Sequence, residues 1–341
     1  MDSKHMMKVV DYEKHGGPDV LRIKERPKPI VNCHEIMIQV EAIGLNICDT
    51  WLRQGDPFNL YGYHACIGYE CSGKVTAVGS YACKFKEGDE VCASLEYGGA
   101  YAEFVVVPAD FVLRIPSGVS LVRAAALPEA SRFTVFALSA LKNVTFGNTI
   151  LIHDTAGGID FIAIQYVKHI GCKVFAVAGT EEKLRICQRL GADVCINYKK
   201  EDFCKRVKAE TGEKGVDIIL DASGRDYFQN NMDCLAEGGS VVISGHKIGS
   251  RVDVDLSFLV KKGISIIGAD VANISYLERE QIWYDVAAKF WPLIEDGHIE
   301  PIIGKIFSFT EVAEAHTALE EGCIPGKLLL VPKETRSRED Y

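Results

Sequence analysis

Between residues 121 and 268, short apolar β-branched runs alternate with helical patterns: "TILIHD", "IDFIAIQYVKHIG", "KVFAVAG", "EEKLRICQRLG", "VCINY", "VDIILDAS", "SVVISG" and "ISIIGAD". This alternation constrains the fold more than any other feature of the chain. Strands that are apolar on both faces must be covered on both faces, and amphipathic helices between them impose parallel crossovers. The segment predicts a doubly wound α/β domain, which binds ligands beyond the carboxyl ends of its strands.

The residues before it read differently. "MKVVDYE", "EIMIQVEAIGL", "CSGKVTAVGS", "DEVCAS" and "YAEFVVVP", punctuated by Gly, Pro and Asp, predict an all-β unit. After residue 273 come a helix, "REQIWYDVAAKFWPLIEDG", a strand "KIFSFT", a helix "TEVAEAHTALEEG" and a last strand "GKLLLVP". At 341 residues two domains are expected, with divisions at 1–126, 127–272 and 273–341. A net charge of -9 with scattered Lys and Arg argues against a nucleic-acid partner. No apolar run is long enough to span a bilayer, and "MDSKHMMKVV" lacks the apolar core of a signal peptide, so the expected location is the cytosol, away from membranes. The 12 cysteines include no CxxC pair and read as reduced, mostly buried thiols.

The loop "HDTAGGID" lies between a strand and a helix, where a G-x-G-x-x-G cradle would hold a pyrophosphate. Its three glycine positions are Thr155, Gly157 and Asp160, so only the middle one is kept. The next strand ends at Ala178-Gly179 without the acid that binds a ribose 2′-hydroxyl, and Lys183 follows. Lys183 either meets a 2′-phosphate or is a solvated helix lysine.

Taken with "GGPDVLRIKERPKP", "EAIGLNICDTWLRQGD", "IGYECSGKVTAVG", "FKEGDEVCA", "GGAYAEFVVVPADFVLRIPSGVSLVRAAALPEA", "AGTEEKLRICQRLGAD", "INYKKEDF" and "EVAEAHTALEEGCIPGKLLLV", the chain resembles the zinc-independent quinone oxidoreductases of the medium-chain dehydrogenase/reductase superfamily, the ζ-crystallin group. The resemblance implies a GroES-like β-barrel domain drawn from both ends of the chain around a Rossmann domain, a small-molecule quinone or enone substrate, and a homodimer. It implies NADPH, with Gly179, Lys183 and Tyr198 near the 2′-phosphate and Thr134 near the nicotinamide ribose. Ala156, Gly157, Gly158 and Ile159 would form the cradle, and Ser223, Ser244 and Gly245 would border the two halves of the cofactor. No metal is expected: Asn46 and Tyr69 stand where zinc-dependent relatives carry ligands, and the four-cysteine lobe is missing.

Three departures bear on chemistry. Trp51 stands where a tyrosine is usual and can line a flat apolar pocket. Tyr69 can donate a proton, with Asn46 orienting the acceptor oxygen, or it can be a core aromatic. Asp154 and Asp160 place carboxylates beside a pyrophosphate path, although Asp160 could instead face the positive helix end. Two functions follow: an NADPH-dependent reductase of quinones or α,β-unsaturated carbonyls, or a non-redox isomerase, cyclase or binding protein that kept the fold.

Overall fold

The computed structural model describes residues 5–55, 66–141, 144–153, 158–244, 250–271 and 274–332. In chain order these form β1 (Met6–Asp11), β2 (Arg22–Pro27), β3 (Glu35–Gly44), α1 (Ile47–Gln54), β4 (Glu70–Val78), β5 (Glu90–Ser94), β6 (Phe104–Pro108) and β7 (Val112–Arg114). Then follow α2 (Pro128–Ser139), β8 (Thr149–His153), α3 (Ile159–Ile170), β9 (Lys173–Ala178), α4 (Glu181–Arg189), β10 (Val194–Asn197), α5 (Phe203–Glu210), β11 (Val216–Asp221), α6 (Arg225–Cys234), β12 (Leu235–Ile243), α7 (Leu256–Lys262) and β13 (Ser265–Gly268). The chain continues through α8 (Tyr276–Lys289), α9 (Trp291–Glu295), β14 (Ile303–Ser308), α10 (Val312–Glu321) and β15 (Lys327–Val331).

The chain divides into two compact units. The first comprises Met1–Arg132, Ala156–Gly158 and Ala272–Tyr341, and the second Phe133–Thr155 and Ile159–Val271.

The first unit is built on a seven-stranded sheet, ordered β14-β15-β3-β4-β5-β7, with β6 also paired to β3. Its organising strand is β3, where Ile36, Ile38, Val40 and Ala42 are buried at every second position, the period at which a pleated strand turns one face to a core. The last strand, β15, pairs antiparallel with β3 and parallel with β14. The family resemblance implied this return of the chain's end to the β domain.

The second unit is a six-stranded parallel sheet in the order β10-β9-β8-β11-β12-β13. The apolar runs became its strands because both faces are covered: on one face Leu151, Phe175, Ile219 and Val241 are fully buried in one cluster with Val207 of α5 and Phe228 of α6, and on the other Ile150, Val174, Ile218 and Val242 are also buried. Each such side chain contributes about 1.5–3 kcal/mol of transfer free energy. Sequence order proceeds outward in one direction from β8 and in the other from β11, so the topological switch point lies between these two strands.

Candidate active site

In the first unit a buried polar network gathers residues from both ends of the chain. Asn46 caps the start of α1, and its backbone N–H donates to Asp49 Oδ2 at 2.8 Å. Its side-chain Nδ2 donates to Glu70 Oε1 at 2.9 Å and to the Gly44 carbonyl at 3.3 Å, while its Oδ1 accepts from Lys327 Nζ at 2.7 Å. Lys327 also pairs with Glu70 Oε1 at 2.6 Å, and both residues are almost wholly buried. The other Glu70 oxygen accepts the Glu129 N–H at 2.9 Å. Burial pushes the Glu70 carboxyl up, and the Lys327 charge pulls it back. Gly44 is required beside this group, because a Cβ there would collide with the Glu70 carboxylate. Glu129 continues the network to Arg132, at 2.6 Å, and to the Ser94 hydroxyl, also at 2.6 Å.

Asp49, in the first turn of α1, is fully buried and accepts the Gly68 N–H at 2.9 Å. Burial pushes its carboxyl up to about 7, against the pull of the Asn46 and Gly68 amides and of Lys327. The Tyr101 hydroxyl lies 3.5 Å from Asp49 and 3.0 Å from His316 Nε2. Burial, with the nearby Arg53 charge, pulls His316 down to about 3, so the ring is neutral. Arg53 is itself buried and paired with Glu320.

Tyr69 immediately precedes β4, is 1% exposed, and has its carbonyl held by the Leu95 N–H at 2.7 Å. Trp51 is half-buried on α1. Gly158 takes a positive φ of 79° and packs against the backbone of Lys327. The structure thus joins Asn46 to Lys327, Glu70 and Asp49, three residues the sequence reading did not single out. Their one local signal is charge at the edge of apolar strands, as in "GYEC" and "GKLLLV".

In the second unit the candidate residues stand at the carboxyl ends of the parallel strands. Gly179 follows β9, and a Cβ there would come 2.6 Å from the Tyr198 hydroxyl. Thr180 caps α4 by accepting the Lys183 N–H at 3.4 Å, and Lys183 is 6% exposed. Of the two acids in the first turn of α4, Glu181 and Glu182, Glu181 accepts from Asn197 Nδ2 at 2.7 Å and pairs with Lys200 at 2.8 Å. The Lys200 contact holds its carboxyl below the usual range. Ser223 and Ser244 meet at one residue: the Ser223 N–H donates to Asp221 Oδ1 at 2.7 Å, and the Ser244 N–H to the Asp221 carbonyl at 2.8 Å. Sequence reading missed Asp221, whose signal is an acid closing the apolar run "VDIILD". Thr134 is buried on α2, and Ile159 and Asp160 open α3. Ala156, Gly157 and Gly245, with Asp154 and Thr155, lie outside the described residues.

Among the described residues, no group of three or more His, Cys, Asp or Glu side chains is arranged to hold a metal ion. Residues 32–117 match the alcohol dehydrogenase GroES-like domain, and residues 158–289 the zinc-binding dehydrogenase family. A quinone oxidoreductase of Pseudomonas aeruginosa is 31% identical over 330 residues, spanning 96% of this chain and 100% of the relative. Quinone oxidoreductase 1 of Escherichia coli is 30% identical, spanning 95% of this chain and 99% of the relative. The solved Escherichia coli quinone oxidoreductase, complexed with NADPH, superposes with a TM-score of 0.84 at 30% identity over 95% of this chain and 100% of that one. The chain belongs to the quinone oxidoreductase family of the medium-chain dehydrogenase/reductase superfamily.

Proposed function

We propose that the protein is an NADPH-dependent oxidoreductase that reduces a quinone or an α,β-unsaturated carbonyl. The observation that carries the cofactor choice is the end of β9. Gly179 lies under the Tyr198 hydroxyl, Lys183 stands in the first turn of α4, and Glu181 is engaged by Lys200 and Asn197. A 2′-phosphate suits this set, because Lys183 and the Tyr198 hydroxyl are the groups offered at the end of β9 and Glu181, one of two acids in the first turn of α4, is already engaged by Lys200 and Asn197. Thr134 is assigned to the nicotinamide ribose, Gly158 and Ile159 to the pyrophosphate, and Ser223 and Ser244 to the borders of the two cofactor halves. Support for the reaction class comes from the full-length similarity to quinone oxidoreductases.

Bound NADPH supplies the hydride, and reduction then needs one proton. We assign that proton to the Tyr69 hydroxyl, with Trp51 as a flat apolar wall for the acceptor ring. Both Asn46 N–H groups are engaged by Glu70 and Gly44, so its part is to hold the Lys327 ammonium in place. The test is a fluorescence titration with NADPH and NADH, followed by NADPH consumption with benzoquinone and cyclohexenone. NADPH binding more tightly than NADH, with turnover of either acceptor, supports the reading. A flat titration at millimolar NADPH would overturn it in favour of a non-redox isomerase, cyclase or binding role.

We further propose a cytosolic homodimer. All 12 cysteines are free thiols, as a reducing compartment keeps them, and no described helix is long and apolar enough to cross a membrane. In the second unit β13 is an edge strand on which Ile266 is 39% exposed, and on the preceding α7 Leu256 is 71% and Val260 83% exposed. An apolar strand edge of this kind is closed by pairing with its copy across a two-fold axis. Sedimentation showing only monomer at micromolar concentration would refute the dimer.

A further inference from the structure

The second unit contains a buried hydrogen-bond chain with a fixed direction. It runs from Asp221 at the end of β11, through Asn231 on α6, to His153 at the end of β8. Asn231 Nδ2 donates to Asp221 Oδ2 at 3.0 Å, and His153 Nε2 lies 2.7 Å from Asn231 Oδ1. All three residues are at most 2% exposed. The other Asp221 oxygen accepts the N–H groups of Ser223, at 2.7 Å, and Gly224, at 3.3 Å. The imidazole is enclosed by the stacked ring of Tyr227, 5.5 Å away, and the edge-on ring of Phe203, 5.1 Å away.

We propose that Asp221 is the positioning residue of the cofactor loops, acting by setting the tautomer of His153. The polarity follows step by step. A carboxylate offers no proton, so the Asn231 amide must turn its NH2 toward Asp221 and its oxygen toward His153. His153 must then carry a proton on Nε2. The same Asp221 residue holds the turn after β11 through Ser223 and Gly224, and the end of β12 through Ser244, whose hydroxyl also donates to its carbonyl at 3.2 Å. One residue therefore references three strand ends, and β8 and β11 flank the switch point at which doubly wound sheets bind nucleotides. Neither Asp221, Asn231 nor His153 is assigned a contact with substrate.

The part played in cofactor binding rests on the NADPH reading above, whereas the tautomer does not. The first measurement is therefore made without cofactor: the two-bond proton–nitrogen correlation spectrum of the histidine rings, with His153→Gln identifying the His153 signals. Wild type should show the Nε2–H form. In Asp221→Asn the new NH2 faces Asn231, which turns its amide over and offers a donor to His153, so the ring should switch to the Nδ1–H form. NADPH affinity should fall with it by about tenfold, the scale of one misdirected buried hydrogen bond. His153→Gln can present either polarity by turning its own amide. Placed in the Asp221→Asn background, it should return affinity to within about threefold of His153→Gln alone. Nδ1–H in wild type, an unchanged tautomer in Asp221→Asn, or a switched tautomer with unchanged NADPH affinity would each overturn the proposal. If Asp221→Asn does not fold, the wild-type tautomer and its loss in Asn231→Leu decide. If wild type binds no NADPH, the functional reading fails while the tautomer result still stands or falls alone.

Discussion

Asp49→Asn should alter how stability depends on pH, and the size of the effect follows from a proton balance in the first unit. Burial raises the Asp49 carboxyl from 3.8 to about 7 and lowers His316 from 6.5 to about 3. The two face each other through Tyr101, whose hydroxyl lies 3.5 Å from Asp49 Oδ2 and 3.0 Å from His316 Nε2. A group raised in the folded state stabilises fully below its unfolded pKa and loses that contribution as pH climbs through the folded value. A base depressed in the folded state stabilises above its unfolded pKa and loses that contribution as pH falls. Between about pH 4 and pH 6.5 the folded chain therefore keeps one proton, on Asp49, and the unfolded chain also keeps one, on His316. Their slopes cancel.

Removing Asp49 leaves the His316 slope alone. Relative to wild type, Asp49→Asn should gain stability with rising pH at about 1.4 kcal/mol per unit, or about 3 kcal/mol between about pH 4.5 and 6.5. His316→Gln should tilt the opposite way by a similar amount, because the Asp49 slope is then uncompensated. Urea unfolding followed by tryptophan fluorescence across that range measures both, and the differences from wild type cancel the contributions of Glu70 and other shared groups. Parallel pH profiles for Asp49→Asn and wild type would refute the balance, and so would tilts of the same sign in the two variants.

Lys183→Ala should weaken NADPH by at least about tenfold and leave NADH nearly unchanged, as a lost charge-assisted contact to phosphate predicts; equal losses in a paired titration would remove Lys183 from the 2′-phosphate site. Tyr69→Phe should lower kcat by about 100-fold for an enone while retaining the fold by circular dichroism; an unchanged rate would make Tyr69 a core residue. Asp160→Gly should tighten NADPH by about 1 kcal/mol at low salt, with the gain shrinking as salt is added. A salt-independent result would show that Asp160, at the positive end of α3, exerts no repulsion on the pyrophosphate.

The doubly wound sheet was legible because burial on both faces leaves a local imprint: "TILIH" and "VDIILD" each hold three consecutive apolar residues where a half-buried strand would alternate, and no neighbour is needed to see it. The end of β9 was half legible. Gly179 and Lys183 stood out, but nothing local shows that Glu181, two residues after Gly179, is engaged by Lys200 and Asn197, which lie 19 and 16 positions further on. The network around Asn46 was not legible, since its partners Glu70 and Lys327 are 24 and 281 positions away and no periodicity links them. Charged residues at the start of apolar strands look, one at a time, like ordinary strand punctuation.

Asp221 shows why such residues escape a linear reading. At the end of "VDIILD" an acid is what a strand terminus commonly carries, facing solvent and followed by a turn. Here it is 1% exposed, and an ion so deeply buried is tolerated only when donors surround it. Those donors come from its own turn and from Asn231, which in turn satisfies His153, 78 residues earlier in the chain. The crossover topology creates the need: it brings the ends of β8 and β11 side by side, where both strands stop and their polar termini must be paired within the protein. A hydrophobic residue at position 221 would leave the Ser223 and Gly224 amides and the Asn231 NH2 without their acceptor, at about 1–3 kcal/mol for each buried group. The same requirement that makes the fold stable thus places a directional proton donor chain at the edge where the cofactor is expected.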